Sequence, residues 1–259
     1  MAQLMRATWI LPMVLFAATA AAQSPDVITT DRPDFTESST LVPRGRVQLE
    51  AGITTTAASR NSGMGQSVTW PELLLRYGLS SRIELRVAQT LTSVSPPAGF
   101  GTRYTGANDL YLGVKLGLGA QQGSRPELAA MLQATVPTGA ESVTQNSTLP
   151  GAALLAGWTL SPVWSLAMGL QVNRVTGDAW EIAPSVTIGR ALTSRLKAYG
   201  EYYAFIPALS ESGASTAHYL NGGLALLLSD NMQLDARVGA GLGGVADRSY
   251  LGVGFAIRP

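Results

Sequence analysis

Residues 72–92 read ELLLRYGLSSRIELRVAQTLT, and this stretch decides how the rest of the chain is interpreted. After a short polar turn, the apolar residues Ile83, Leu85 and Val87 alternate with charged neighbours. Before the turn, apolar residues again occupy every second position, with Leu74 as the one misfit. A period of two places successive side chains on opposite faces of a strand. The stretch therefore predicts a hairpin of two strands, each with one apolar and one polar face.

The tight turn of this hairpin, residues 79–82 (LSSR), has three close copies later in the chain. They are residues 160–163 (LSPV), 192–195 (LTSR) and 228–231 (LSDN), and an alternating stretch follows each copy. The spacing between copies is irregular, so the pattern indicates an antiparallel meander and not a solenoid repeat.

Composition narrows the class of protein. The 259 residues carry a net charge of +1, and 14% of them are charged, against roughly 25% in soluble domains. The near-neutral charge argues against nucleic acid as a partner. The chain has no cysteine, which excludes disulfides, thiolate catalysis and lipid attachment at cysteine, and which suits an exported protein.

Residues 1–22 are predicted to be a signal peptide. Arg6 supplies the positive charge, residues 9–18 form the apolar centre, and the small residues 20–22 suit a cleavage site. The alternative is a membrane anchor, but the apolar run is shorter than the about 20 residues that a helical span needs. No later apolar run approaches 18 residues, so the apolar content is carried by alternating strands, which is typical of a transmembrane β-barrel.

Alternation predicts twelve antiparallel strands within a barrel domain at residues 46–259. Their expected bounds are 46–56, 68–79, 82–92, 108–118, 126–136, 151–160, 164–174, 180–192, 195–205, 218–228, 232–241 and 249–258. An even number is expected of a single-chain bacterial barrel. Connections after the even strands are short, whereas most of those after the odd strands are long, which matches periplasmic turns and extracellular loops.

Aromatic residues cluster near both ends of the predicted strands. Trp158, Trp164, Tyr77 and Phe255 fall near the short-turn ends, and Trp70, Trp180, Phe205 and Tyr219 fall near the long-loop ends. Two aromatic girdles are typical of the two interfaces of a membrane. The alternative is a soluble β-sandwich with these aromatics in its core, but the outward faces run almost without charge, which favours the barrel.

The polar faces of the strands point to the lumen and supply the candidate lining residues. These candidates are Glu50, Glu72, Arg76, Glu84, Arg86, Asp109, Tyr111, Lys115, Glu181, Lys197, Tyr199, Glu201, Asp235 and Arg237. A charge in a narrow lumen must be paired or hydrated. Two interpretations stay open: an internal network of ion pairs that holds the barrel's shape, or a polar lining that sorts solutes by charge and size.

Residues 23–45, the N-terminal segment, lack periodicity and precede the first strand on the periplasmic side. The segment contains a motif of charged residues around one large apolar group, namely Asp31, Arg32, Pro33, Asp34, Phe35 and Glu37. Because side chains alone do not fill a twelve-stranded barrel, we expect residues 31–38 to fold into the periplasmic mouth as a plug. Arg32 would then pair with an acid such as Glu50 or Glu84, and Asp34 with a base such as Arg86. The alternative is a disordered periplasmic leader.

Catalytic chemistry has little support in this sequence. His218 is the single histidine, so a multi-histidine metal site is excluded, and no cofactor is expected. Twelve-stranded outer-membrane phospholipases carry a histidine, one residue, then Ser-Asn-Gly, but residues 218–222 read HYLNG and lack that serine. The glycine-rich residues 239–244 have no following helix that could hold a phosphate.

Several stretches resemble one family of outer-membrane transporters, labelled “putative MetA-pathway of phenol degradation”. They are residues 30–38 (TDRPDFTES), 42–45 (VPRG), 47–52 (VQLEAG), 77–86 (YGLSSRIELR) and 106–115. The resemblance covers most of the mature chain. It implies an outer-membrane barrel that passes small, often aromatic or apolar, compounds.

We therefore expect a channel in the bacterial outer membrane for passive uptake or efflux of a small molecule. The alternatives are a structural or assembly barrel with a closed lumen and a lipid-active enzyme. The expected partners are the lipid bilayer, the solute and the outer-membrane assembly machinery, since residues 250–257 resemble its C-terminal signal although the chain ends in Arg258 and Pro259. Solute, direction, gating and oligomeric state stay open.

Overall fold

The computed structural model describes residues 27–59, 65–97, 101–175, 179–209, 215–243 and 245–259, so the predicted signal peptide lies outside it. Within these ranges there are thirteen strands. They are β1 (Val47–Ala57), β2 (Gln66–Gly78), β3 (Ile83–Ser95), β4 (Tyr104–Ala107), β5 (Leu110–Gly119), β6 (Glu127–Val136), β7 (Leu149–Thr159), β8 (Trp164–Arg174), β9 (Trp180–Ala191), β10 (Leu196–Leu209), β11 (Ala217–Ser229), β12 (Met232–Gly241) and β13 (Ser249–Ile257). In the described part of the chain, no helix has the length and apolarity to cross a membrane.

The strands form one closed antiparallel barrel. Neighbours in sequence pair with each other around the barrel, and β13 pairs with β1 over Leu49–Ala57 to close it. Both β4 and β5 pair with β3, β4 near the long loops and β5 near the short turns, so they occupy one position in the wall. The barrel therefore has twelve strand positions, as predicted from alternation.

The interruption between β4 and β5 has a local cause. Asn108 turns its side-chain amide to the hydroxyls of Thr90 and Thr92, at 2.5 Å and 2.8 Å. Asp109 accepts hydrogen bonds from the long loop that follows β6. These side-chain contacts accompany the break at residues 108 and 109, although the Asn108 N–H still donates to the carbonyl of Thr90 at 2.9 Å. The predicted fourth strand had begun at residue 108 without a break.

The other strand bounds lie close to prediction. β8 and β12 begin and end at the predicted residues, and most others differ by one to three positions. The largest difference is in β10, which continues to Leu209 because Ile206 and Pro207 still pair with β9. Alternation thus located the strands, whereas their ends depend on pairing across the wall.

All four copies of the short turn have the same hydrogen bond. The hydroxyls of Ser80, Ser161, Thr193 and Ser229 each accept a bond from the backbone N–H two residues on, at 3.2 to 3.3 Å. A serine or threonine hydroxyl in this position stabilises a tight turn. The repeated Leu-Ser/Thr motif is therefore the local signal that joins one strand to the next.

Burial is inverted relative to a soluble protein. Apolar residues are exposed on the outer wall, for example Leu132 at 62% and Val238 at 59%. Charged residues are buried inside, with Arg76, Glu84 and Lys115 each at 0%. A continuous apolar exterior around a charged interior needs a lipid environment, so the predicted barrel is confirmed and the sandwich alternative is wrong.

Two residues assigned to the aromatic girdle belong elsewhere. Phe205 and Tyr219 contact each other and Tyr203 inside the barrel. They share the inward face of their strands with Glu201 and Asn221, because each lies an even number of residues from one of these buried groups. Closeness to a strand end had suggested the membrane interface, but strand parity decides the face.

Candidate functional site

The described part of the N-terminal segment, residues 27–45, lies inside the barrel. Near its start, the Ile28 N–H donates to the carbonyl of Asp230 in the β11–β12 turn, at 2.6 Å. Near its end, the Gly45 N–H donates to the carbonyl of Gly78, the last residue of β2, at 2.7 Å. Both anchors lie at the short-turn end, whereas Phe35 in the middle contacts Phe205 near the far end of β10. The segment therefore rises into the lumen and returns.

Asp31 is the centre of a buried ion network between the segment and the wall. Its carboxylate lies 2.6 Å from Arg86, 3.4 Å from Arg76 and 3.3 Å from Lys115. Burial alone would raise the pKa of Asp31, but these three cations lower it to well below its usual range. The carboxylate is thus held ionised where an unpaired charge would be costly.

Two wall acids connect the same network to the backbone of the segment. Glu50 and Glu84 pair with Arg76, at 3.0 Å and 2.9 Å. Glu50 also accepts hydrogen bonds from the backbone N–H groups of Asp31 and Arg32. Glu84 accepts one from the Val42 N–H at 2.7 Å. Each acid therefore neutralises a cation and satisfies backbone groups that belong to no β-ladder.

Arg32 forms a second ion cluster, but with other partners than those expected. Its guanidinium contacts Glu72 and lies 3.3 Å from Asp235, and Arg237 approaches Glu72 at 3.2 Å. Only the backbone of Arg32 reaches Glu50. Arg32 therefore pairs with lumen acids, as predicted, but the named partners Glu50 and Glu84 are wrong, because alternation gives the face of a residue and not its height in the lumen.

The pairing predicted for Asp34 is wrong as well. Arg86 contacts Asp31 and Glu37, the latter at 2.9 Å. Among the described residues, no cation forms an ion pair with Asp34. Burial raises the pKa of Asp34 well above its usual value, and the negative charge of Glu201 raises it further.

Glu201 on β10 binds the tip of the segment. It accepts hydrogen bonds from the Phe35 N–H at 2.8 Å and from the Thr36 N–H at 2.6 Å. Thr187 and Asn221 donate to the same carboxylate from the neighbouring strands, at 2.9 Å and 2.8 Å. The wall thus orients one buried carboxylate toward two consecutive backbone groups.

Apolar contacts hold the segment at two further points. The Phe35 ring stacks on Tyr203 with the ring centres 4.3 Å apart. On another part of the wall, Leu41 packs against a buried apolar patch. The patch consists of Ala129, Met131, Ala153 and Leu155.

Glycines on the inner wall make room for the segment. A Cβ on Gly52 or Gly254 would collide with the guanidinium of Arg32, and one on Gly78 would collide with the carbonyl of Pro43. Small residues at these inward positions let the segment approach the wall closely.

Two clefts lie in the lumen, one toward each end. The long-loop cleft, about 520 Å³, is lined by polar side chains such as Tyr111, Gln133 and Asn173. The short-turn cleft, about 490 Å³, lies between the N-terminal segment and the wall and is lined by residues such as Glu127 and Lys197.

Buried side chains separate the two clefts. On β6, Gln133 lines one cleft and Glu127 the other, while Ala129 and Met131 between them are each 1% exposed. On β8, the buried Gln171 likewise lies between the two clefts. The lumen is therefore closed at mid-height in this structure.

The remaining lining candidates are spread along the lumen and form no single site. Asp109 accepts hydrogen bonds from Gly139, Thr144 and Gln145 and so ties down the loop after β6. Two others donate hydrogen bonds on the inner wall, Tyr111 to Gln133 and Tyr199 to Asn221. Glu181 lies opposite Asn173 in the β8–β9 register, and Lys197 lines the short-turn cleft.

Several contacting residues were not singled out from sequence. Gln48, which is fully buried, donates from its amide to the carbonyl of Thr29 and to Glu50. Thr187 and Asn221 complete the Glu201 site. Strand parity placed all three inside, but uncharged polar residues are common on any inner wall, so no signal distinguished them.

His218 is not positioned as a catalytic base toward the lumen. Its Nδ1 lies 2.7 Å from the hydroxyl of Tyr202, and both side chains belong to the outward-facing set of their strands. Among the described residues, no group of three or more acids and histidines is arranged to hold a metal ion.

Comparisons with known proteins agree with this architecture. Residues 30–258 match a family described as “Putative MetA-pathway of phenol degradation”. An outer membrane channel from Pseudomonas putida F1 is similar, with 14% identity, a TM-score of 0.64, and 84% of this chain and 97% of that chain covered. No curated protein matches the chain.

Two further solved structures are similar. The KdgM porin has 10% identity and a TM-score of 0.55, with 81% of this chain and 98% of that one covered. The translocator domain of the autotransporter NalP from Neisseria meningitidis has 10% identity and a TM-score of 0.56, with 83% and 88% covered. At these identities the likeness is one of fold, namely that of outer-membrane barrels. Together with the apolar exterior, it places the chain in the bacterial outer membrane.

Proposed function

This chain belongs to the family described as “Putative MetA-pathway of phenol degradation”, and from that premise we propose that it is a channel for passive passage of small aromatic or apolar molecules. The N-terminal segment is its plug, inserted from the periplasmic side. The observation that carries this proposal is the division of one lumen into two clefts by that segment and the residues buried against it. A solute would cross when the plug moves aside.

The way the segment is held suits a movable plug. Its contacts to the wall run mainly through side chains, among them Glu50, Glu84 and Glu201, and the segment contributes no strand to the barrel. The ladder that closes the wall is therefore independent of the segment. Displacing the segment exchanges buried ion pairs for hydrated ones, and the ring of paired strands around the lumen stays intact.

The character of the closed zone supports an apolar solute. The wall between the clefts presents Met131 and Leu155 to the lumen, and Leu41 of the plug now covers them. Once Leu41 has moved, this patch would form an apolar strip along a path whose other buried lining is largely charged. Such a strip gives an apolar solute a surface to contact, whereas it cannot replace an ion's hydration shell.

The test is to delete residues 24–40 and record single channels in planar bilayers, beside the full-length barrel. We expect a larger or noisier conductance for the deletion, since the space filled by the segment becomes water. Normal heat-modifiable migration of the deletion serves as the control for folding. Unchanged conductance and selectivity would contradict the plug.

A structural barrel with a closed lumen is the second candidate, favoured by the buried ion network around Asp31. Full-length protein in liposomes distinguishes the two. Entry of a small apolar solute at a rate proportional to the amount of barrel supports the channel, and entry at the rate of empty liposomes supports the closed barrel.

A further inference from the structure

Two aromatic side chains of the wall, Tyr203 and Phe205, contact Phe35 of the plug inside the lumen, and Tyr219 and Tyr250 contact Tyr203. We call these four wall side chains the cage. Tyr203 and Phe205 lie on β10, Tyr219 on β11 and Tyr250 on β13. Phe35 stacks on Tyr203 at 4.3 Å with an angle of 17° between the rings. Phe205 meets Phe35 edge-on at 5.3 Å and 86°. These are the two geometries that aromatic rings prefer.

The cage is built by the wall and owes little to the plug. Tyr203 and Tyr219 stack on each other at 4.9 Å and 7°. The Tyr203 hydroxyl donates to that of Tyr250 at 2.9 Å, and the Tyr219 hydroxyl accepts from the Asp247 N–H at 3.0 Å. These contacts join three strands and one loop. The ring-shaped space should therefore persist when Phe35 leaves.

The Phe35 ring shows which kind of ligand the cage can bind. A phenyl ring fits between a stacked ring and an edge-on ring, and the hydroxyls of Tyr203 and Tyr250 add polar atoms beside it. Phe35 and Phe205 are only half-buried, so a solute can approach the ring. Because the Phe35 and Thr36 N–H groups both bind Glu201, removal of the ring from the cage also disturbs the tip of the plug.

We propose that this cage is a binding site for a small aromatic solute and that Phe35 is its resident competitor, an inference that rests on the proposed channel function. A solute ring that enters the cage displaces Phe35, loosens the tip of the plug and so promotes its own passage. A saturated ring of the same size lacks the stacking and edge-on contacts and acts at higher concentration.

A single thiol can report the movement, because the chain has no cysteine. Ser39 lies in the plug and is 5% exposed, so the thiol of Ser39→Cys should react slowly with a maleimide. The probes are benzyl alcohol and cyclohexylmethanol, matched in size and hydroxyl group. We expect both alcohols to accelerate labelling, with half-saturation by benzyl alcohol at a concentration about 2- to 12-fold lower.

Variants separate the cage from general loosening of the barrel. In the Ser39→Cys background, Tyr203→Leu should raise the half-saturating concentration of benzyl alcohol about 3- to 10-fold and leave that of cyclohexylmethanol nearly unchanged. Phe35→Leu removes the competing ring, so ligand-observed NMR should show tighter binding of benzyl alcohol. Heat-modifiable migration checks that each variant is folded.

Equal potency of the two alcohols, or an unchanged response in Tyr203→Leu, overturns the proposal. The test of the binding site can fail independently of the test of the channel function. A barrel that binds benzyl alcohol in the cage but admits no solute refutes the channel and leaves the site. A barrel that admits solutes but responds equally to both alcohols refutes the site alone.

Discussion

Asp31 and Asp34 lie three residues apart in one buried segment, yet their surroundings are opposite. Asp31 faces Arg76, Arg86 and Lys115, and its pKa is lowered. Asp34 has no ion pair among the described residues, and burial together with the charge of Glu201 raises its pKa. One carboxyl is thus held ionised and the other favours its neutral form. The two make separable predictions about how the plug is retained.

Replacing Asp31 with asparagine should release the plug. The change removes one carboxylate partner from each of three buried cations. Removal of one member of a buried ion pair costs about 3 to 5 kcal/mol. Open-channel events in planar bilayers should become far more frequent. Glu37→Gln is the matched control, because Glu37 is 20% exposed and forms an ion pair with Arg86 alone among the described residues. If the two variants open equally often, Asp31 is not the main anchor.

Retention of the plug should weaken as the pH rises. A carboxyl whose pKa is raised in the folded protein stabilises it most below the ordinary pKa, and that contribution is lost as the pH rises through the folded value. Asp34 should therefore ionise only at pH values above the usual carboxyl range, and its ionisation should weaken retention of the plug. Asp31, with a lowered pKa, loses its contribution only in strong acid. Open probability recorded from about pH 5 to about pH 9 should increase. Asp34→Asn should reduce the increase, and part of it should remain because burial also raises the pKa of Glu37 in the plug. An unchanged increase in Asp34→Asn would assign it to another group.

A single strand shows how the wall separates two environments. In β5, Leu112 is 40% exposed on the outer wall, whereas Lys115 is fully buried in the lumen. Gly113, between them in sequence, faces inward, and its missing side chain leaves space for the Tyr111 hydroxyl. Adjacent residues therefore lie in different environments, because one faces lipid and the next faces the polar interior.

Leu112→Arg should damage folding far more than Gly113→Ser. An arginine on the lipid face costs about 2 to 4 kcal/mol at the bilayer midplane and less toward the interfaces. A serine at position 113 requires the Tyr111 hydroxyl, which donates to Gln133, to shift within the lumen. The yield of heat-modifiable barrel in lipid vesicles measures both. Equal yields would show that β5 does not cross the membrane.

Closure of the whole barrel depends on the last strand. β13 pairs with β1 on one side and with β12 on the other, so the chain's final residues complete the wall. Phe255 lies between Ala51 and Leu234 in this strand and is 43% exposed to the outside. A polar edge left open in lipid would leave backbone groups without partners.

Phe255→Asp is expected to block assembly, because it puts a charge on the lipid face of the closing strand, and Phe255→Leu should assemble normally. Outer-membrane fractions analysed for heat-modifiable migration give the readout. Normal migration of the aspartate variant would contradict the assignment of Phe255 to the lipid face.

The period-two pattern determined the strands, their faces and the apolar exterior, because alternation follows from the covalent geometry of an extended chain. It placed Arg76, Glu84 and Lys115 inside and Leu112 and Phe255 outside. The repeated Leu-Ser/Thr turns marked where the chain reverses, since their hydrogen bonds are local. The sequence also predicted that residues 31–38 would enter the lumen, because a buried phenylalanine among charges suits a packed segment.

The partners inside the barrel were decided by the tertiary structure alone. Arg32 meets Glu72 and Asp235, and Asp31 rather than Asp34 meets Arg86. The two rings that contact Phe35 lie on β10, far from Phe35 in sequence. Alternation tells which face a residue takes, but not its height in the lumen or the side chain opposite to it. Those depend on the stagger of neighbouring strands and on the path of the plug, which arise only when the barrel has closed.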